Sequence, residues 1–359
     1  MIPTFLALFT SAFITLLLIR YKFLHEKFSS DSDLEGVQKF HTSPTPRIGG
    51  ISIAAGLTVA FLFRLWQDPN SGVHLGTLIL CALPALMTGL AEDLTKKVGA
   101  MTRLVATFMS AALACYFLNI GIPRIGISWI DPIFTVPAFS ILFTCITVAG
   151  LANSYNIIDG FNGLASMIAI ITLCAIGYVA FRVNDSVTII FSLVMIGSIV
   201  GFFIWNYPQG LIFLGDGGAY FIGFWVGILS IMLVSRNPEV SPWFACLINI
   251  YPIFETIFSI WRKKVIKKIS PGVPDGVHLH MLVYGRIARW LRAEDPSKGF
   301  LSNARTSPYL WGLSCLATAP AILFWNNTPM LIGFSFLFCI SYIAIYRALV
   351  RFNIPKWLK

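Results

Sequence analysis

The sequence predicts an all-α, polytopic membrane bundle, and three observations carry that expectation. The 359 residues are 57% hydrophobic and only 12% charged, with a mean hydropathy of +0.77, outside the range of a water-soluble globule of this length. Apolar runs of about 17 to 20 residues, each able to cross about 30 Å of hydrocarbon as a helix, recur along the whole chain. The basic residues gather at alternate ends of these runs, as they do when helices thread a bilayer.

Eleven runs are expected, about 11 transmembrane helices (10–11): 1–19, 48–65, 75–91, 101–119, 133–152, 163–181, 187–205, 217–234, 242–261, 308–325 and 328–346. The first is followed by Arg20 and Lys22, whereas a signal peptide carries its cations in front. It reads as a retained helix with its N-terminus outside, periplasmic, and threading from there leaves the C-terminus cytoplasmic. In that orientation 22 of the 26 Lys and Arg residues lie inside, and Arg64, Arg124, Arg182 and Arg236 lie on the opposite side. The net charge of +10 then describes a cytoplasmic face beside anionic membrane lipid, with no nucleic-acid partner implied. The seven cysteines all fall inside apolar runs at no metal-ligand spacing and read as small core residues. Residues 1–359 form one integral membrane domain whose longest inter-run segment is 262–307. The outside stretch 120–132, "IGIPRIGISWIDP", alternates apolar residues between Gly and Pro, a pattern suited to a short β-hairpin or a surface-lying strand.

The carboxylates locate the chemistry. Glu92 and Asp93 close the third run, Asp159 follows the fifth, Asp216 opens the eighth, and all four emerge at the cytoplasmic interface; Glu255 lies inside the ninth. Charges at membrane depth are costly and mark function. Carboxylates brought from separate helices to one leaflet form the pattern of a cation site. In "NSYNIIDGFNGLA" (153–165), Asn153, Asn156, Asp159 and Asn162 are spaced by three, so neighbours share a helical face. Gly160 and Gly163 allow a break that turns their oxygens toward one point. Hard oxygen donors with few carboxylates suit Mg²⁺, or Mn²⁺, shared with a phosphate. The asparagines could equally cap the flanking helices.

"FLGDGGAYFIGF" (213–224) sets Asp216 among Gly215, Gly217 and Gly218 ahead of an apolar helix, where an Asp is either an N-cap or a metal ligand. "GLAEDLTKK" (89–97) allows Asp93 to meet Lys96 on one helical face, as a salt bridge or in catalysis. "PTPRIGG" (44–50) alone reads as a turn carrying Arg47. "PGVPDGVHLHMLVYGR" (271–286) holds His278 and His280 two apart, without a zinc-type spacing. The upstream cations of "WRKKVIKK" (261–268) make either a solvated face beside lipid or, with the histidines, a phosphate-recognition surface.

Taken in order, PTPRIGG, GLAEDLTKK, NSYNIIDGFNGLA, FLGDGGAYFIGF and PDGVHLHMLVYGR resemble the signature segments of the polyprenyl-phosphate N-acetylhexosamine-1-phosphate transferase superfamily, from about residue 40 to 290. The resemblance implies an integral membrane transferase of the bacterial inner membrane with its active site on the cytoplasmic face. Asp216 would be the principal Mg²⁺ ligand, with Asn156 in the metal site and Asp159 beside it in a catalytic role. Asp93 and Lys96 would lie near the lipid phosphate. Asn153, Asn162, Arg47, His278 and His280 would bind substrate, the histidines through the sugar-nucleotide phosphates. Two departures stand out. Glu92 replaces the first of the family's paired aspartates, and Met281 ends the histidine motif, which lacks three consecutive histidines. The second departure argues against a peptidoglycan precursor and for the branch that primes O-antigen, enterobacterial common antigen, teichoic acid or capsule chains. The implied partners are a UDP-N-acetylhexosamine and undecaprenyl phosphate, with a homodimer left open. The competing expectation is a lipid-linked sugar transporter or flippase without bond cleavage, which would place its polar residues near the bilayer midplane.

Overall fold

The computed structural model describes residues 1–31, 44–270, 272, 275–294 and 302–351. The chain folds as helices α1 (Ile2–Arg20), α2 (Lys22–Ser29), α3 (Gly49–Gln67), α4 (Pro69–Thr95), α5 (Ala100–Leu118), α6 (Pro137–Ile158) and α7 (Leu164–Arg182). There follow α8 (Ser186–Asn206), α9 (Gly215–Arg236), α10 (Pro242–Ile248), α11 (Ile250–Trp261), α12 (Leu279–Glu294), α13 (Ser302–Leu323) and α14 (Thr328–Arg351). Among the described residues nine helices are long and apolar enough to cross a membrane. The α10–α11 pair, bent by 72°, makes a tenth if it is one span. The remaining apolar run, 308–325, falls in α13, which carries Pro308 and Pro320 and packs on α7 and α12. The all-α membrane bundle of the sequence is thus the fold.

Helix α9 is the mast. Every residue from Gly215 to Val234 is buried, because α3, α4, α5, α6, α7, α8 and α10 all pack around it. A helix apolar on nearly every face can be surrounded in this way. Helix α1 packs on α3 and α8, and small residues let the backbones meet. A Cβ added at Gly197 or Gly201 would collide with backbone carbonyl oxygens of Thr4 and Leu8. The first apolar run is therefore part of the bundle.

The stretch 120–132 forms no strand. Asp131 Oδ1 accepts the amides of Ile125 and Gly126 at 2.8 and 3.1 Å, and the chain turns into a 3₁₀ helix at Asp131–Thr135. A carboxylate that captures successive amides removes the donors a ladder needs, and Pro123 and Pro132 supply none. The two-residue pair that does occur joins β1 (Ser30–Asp31) to β2 (Thr45–Pro46), antiparallel, just before α3. Of the segment 262–307, residues 271, 273, 274 and 295–301 lie outside the described residues.

Candidate functional site

One end of the bundle encloses a cavity of about 570 Å³. Its wall is set by the first turn of α9. The segment PTPRIGG lies beside the approach to that helix: Phe213 N–H donates to Pro46 O at 2.8 Å, while Gly49 and Gly50 donate to Phe213 O and Leu214 O at 3.0 and 3.1 Å. Gly215 has φ +74°, and a Cβ there would strike Arg47 O, so glycine is required on both conformational and steric grounds. This pairing carries Arg47 to 3.4 Å from Asp216 Oδ1. Asn156 Nδ2 donates to the same oxygen at 2.8 Å. Arg103, in the first turn of α5, forms an ion pair with Asp216 Oδ2 and lies 5.5 Å over the Tyr220 ring. The Tyr220 hydroxyl donates to Asn153 Oδ1 at 2.9 Å.

Asp93 has a different task from the one its position beside Lys96 suggested. Its two oxygens accept the backbone N–H groups of Asp216 and Gly217, each at 2.8 Å, and Arg47 stands 3.9 Å away. The carboxylate of α4 thus caps α9 from outside, satisfying amides that Asp216 does not cap itself. Lys96 has turned away as the left-handed C-cap of α4 (φ 56°), exposed. Glu92 accepts the Val98 N–H at 2.6 Å and closes the same turn. None of Glu92, Asp93 and Lys96 lines the cavity.

Helix α6 stops at Ile158 and α7 begins at Leu164, with Gly163 at φ +71°. Asn153, Asn156, Asp159 and Asn162 all line the cavity. Burial pushes the Asp159 carboxyl up to about 7, with Arg47 opposing. Asn162 is committed to packing: its amide donates to Asn303 Oδ1 at 2.9 Å, its side chain to Pro208 O at 3.0 Å, and its carbonyl accepts from Ser307. These bonds seal the break against α13.

The opposite wall is the histidine segment. His278 Nδ1 lies 2.9 Å from Glu255 Oε1 inside α11, and His280 stacks on His278 with centroids 5.3 Å apart. His280 is fully buried, neither ring nitrogen has a hydrogen-bond partner among the described residues, and burial pushes it down to about 3 against the pull of Glu255, so it is neutral at pH 7. Asp275 is gripped by Arg262 at 2.9 and 3.0 Å and by Lys267 at 3.2 Å. Although burial works to raise it, these cations hold its carboxyl below the usual range. Lys263, from the WRKKVIKK run, lines the cavity with only 8% of its side chain exposed.

The structure therefore brings Arg47, Asn153, Asn156, Asp159, Asn162, Asp216, His278 and His280 around one cavity. Sequence reasoning missed Arg103, Tyr220 and Asn303, whereas Lys263 belongs to the WRKKVIKK cations already weighed for phosphate recognition. Arg103 was absorbed into the interfacial charge count, and the others carried no distinguishing spacing. Among the described residues no group of three or more His, Cys, Asp or Glu side chains is arranged to hold a metal unaided. Asp216, Asp159 and the Asn156 side-chain oxygen are the hard donors that could hold a cation sharing water and substrate phosphate, in place of the Arg47 and Arg103 now paired with Asp216.

The fold is a membrane-type helical bundle with a polar cavity at one end, walled by both acidic and basic side chains. Residues 75–234 match the family described as glycosyl transferase family 4. A "Probable undecaprenyl-phosphate N-acetylglucosaminyl 1-phosphate transferase" of Bacillus subtilis strain 168 is 28% identical, over 68% of this chain and 66% of its own length. An "Undecaprenyl-phosphate alpha-N-acetylglucosaminyl 1-phosphate transferase" of Thermotoga maritima is 27% identical, over 70% and 72%. A "Phospho-N-acetylmuramoyl-pentapeptide-transferase" of Streptococcus thermophilus is 26% identical, over 77% and 82%. Together with the five ordered segments, these matches make the chain similar to the polyprenyl-phosphate N-acetylhexosamine-1-phosphate transferases.

Proposed function

We propose that the protein transfers N-acetylhexosamine-1-phosphate from a UDP-N-acetylhexosamine to undecaprenyl phosphate at the cytoplasmic face of a bacterial inner membrane. UMP leaves, and the product is an undecaprenyl-diphosphate sugar that primes a cell-envelope polysaccharide. The observation that carries this reading is the composition of the cavity wall: Arg47, Arg103, Lys263 and two histidines facing Asp216, Asp159 and Asn156. That mixture suits two phosphates and one divalent cation.

A phosphate monoester with a second pKa near about 6 is mostly dianionic at pH 7. Its oxygen attacks the β-phosphorus, the bond to the bridging oxygen breaks, and that oxygen departs with UMP. The nucleophile needs little help from a base; the obstacle is repulsion between two anions. Arg47 and Arg103 stand at Asp216 with guanidinium forks that match phosphate oxygens. Lys263 adds a point charge beside the histidine wall. His280, neutral and without a hydrogen-bond partner among the described residues, is available to a phosphate or sugar hydroxyl. Asp216, Asp159 and Asn156 would hold Mg²⁺, or Mn²⁺, which supplies neutralisation of the diphosphate charge when bound. Asp93 acts at one remove, by fixing the turn that presents Asp216.

Depth separates this reading from transport. Asp93 and Asn156 lie in the last turns of α4 and α6, Arg103 and Asp216 in the first turns of α5 and α9, so the cavity sits at one end of the bundle. A transport site belongs near mid-depth. The test is UMP release by purified protein from a panel of UDP-sugars, UDP-N-acetylglucosamine and UDP-N-acetylmuramoyl-pentapeptide included. Release that needs both undecaprenyl phosphate and Mg²⁺, and disappears in Asp216→Asn, is expected. Sugar-nucleotide movement without bond cleavage would overturn the proposal.

A further inference from the structure

The transfer chemistry leaves one buried network unused, and it reaches the cavity from the last helix. Tyr342 and Tyr346 lie one turn apart on α14, beyond both the matched segment and the motifs. Tyr342 is fully buried, with Phe254 and Phe258 packed edge-on against its ring, and its hydroxyl donates to Glu255 Oε2 at 2.5 Å. Glu255 is likewise fully buried. Its other oxygen meets His278 Nδ1 at 2.9 Å and the Leu279 amide at 3.3 Å, so it also caps the start of α12.

Three donors converge on the two carboxylate oxygens of Glu255, and an ionised carboxylate only accepts. Nδ1 of His278 must therefore carry the hydrogen of that bond. Nε2 is then the nitrogen left for a ligand. It lies 3.6 Å from Asp275 Oδ1, too far for a hydrogen bond. The tyrosine one turn further on holds the residue before the histidine: Tyr346 donates to Val277 O at 3.0 Å and accepts from Arg262 at 2.8 Å. Arg262 in turn donates to Val277 O at 2.5 Å and grips Asp275. As packing alone, an apolar side chain at 255 would avoid the desolvation cost of a carboxylate inside a membrane helix.

We propose that Tyr342, acting through Glu255, is a positioning residue that fixes the His278 ring with its Nδ1–H on the carboxylate, so that Nε2 offers its lone pair to a hydroxyl of the sugar nucleotide. The inference rests on the transferase reading for its substrate, and on hydrogen-bond geometry for the rest. Orientation of this kind is worth about 10- to 100-fold where a second residue aligns a ligating histidine.

The test is a double-mutant cycle in the full-length protein. Tyr342→Phe keeps the ring and removes one hydroxyl; it is expected to lower kcat/KM for the UDP-sugar about tenfold, with KM for undecaprenyl phosphate unchanged. In a His278→Ala background the same substitution is expected to cost less than about twofold, because its target is gone. Equal losses in both backgrounds, or no loss in Tyr342→Phe alone, would overturn the proposal. A second readout does not depend on activity. In ¹⁵N-histidine spectra, the His278 signals are those missing from His278→Ala, and they should report a proton on Nδ1 in the wild type and a shifted Nδ1 resonance in Tyr342→Phe, as the carboxylate that holds it loses one donor. An unchanged Nδ1 resonance overturns the positioning role even if no UDP-sugar is turned over, so its failure is distinguishable from failure of the transferase reading.

Discussion

Replacing Asp93 separates a capping carboxylate from a reacting one. Its oxygens each accept a backbone N–H at 2.8 Å, and its side chain is fully shielded from solvent. Asp93→Asn keeps the shape and one acceptor, but turns an NH₂ group toward the other N–H. A hydrogen bond to a charged group contributes about 1.5–3 kcal/mol, and an amide left unsatisfied in the interior costs about 1–3 kcal/mol. Allowing for relaxation of the turn, Asp93→Asn should destabilise by about 2–4 kcal/mol, above the cost of about 1 kcal/mol typical of an exposed cap. Asp93→Ala loses both acceptors and should cost more. The assay is the thermal unfolding midpoint in detergent alongside UMP release. Both variants should melt several degrees below wild type, in the order Ala below Asn, and both should lose most activity because Asp216 shifts with its backbone. An inactive Asp93→Asn with an unchanged midpoint would refute the capping assignment and return Asp93 to the chemistry.

Two further outcomes follow from the same geometry. Arg103→Ala removes the guanidinium paired with Asp216 and should reduce UMP release by about 100-fold, in the range seen when one donor to a transition-state oxyanion is lost; a loss under threefold would show Arg103 to be dispensable. Asp159, pushed up to about 7 by burial, should lower stability as pH rises. The sign follows from proton binding: between about 4 and about 7 the folded state holds a proton that the unfolded state has released, so stability is complete below the unfolded value and declines through the folded one. Without divalent cation, Asp159→Asn should therefore match wild type near pH 4 and melt above it at pH 8. A variant that melts below wild type at pH 8 would show that the ionised carboxylate is stabilised by a partner.

The bundle was legible because its physics is one-dimensional. Length of apolar run and side of each cation suffice to place α1 and α3 through α9, and the glycines at 215, 217 and 218 announce a crowded helix start. Glu255 was conspicuous as a charge in an oily run, which required a hydroxyl or cation nearby, but nothing local could name Tyr342, 87 residues away. The partners of Asp93 were hidden for a related reason. Helical spacing offered Lys96 as a partner, whereas the closer demand came from two orphan amides 123 and 124 residues on. Arg103 left no signal because the positive-inside rule already accounted for it. What no spacing could show is that the C-terminal end of α6 and the N-terminal ends of α5 and α9 meet around one cavity, with Asp93 of α4 behind the start of α9. Helix C-termini attract cations and N-termini attract anions. A site framed by both kinds of end is polarised for a metal and a phosphate before any side chain is added, and the acidic and basic residues of the motifs sharpen a field that the backbone has already drawn.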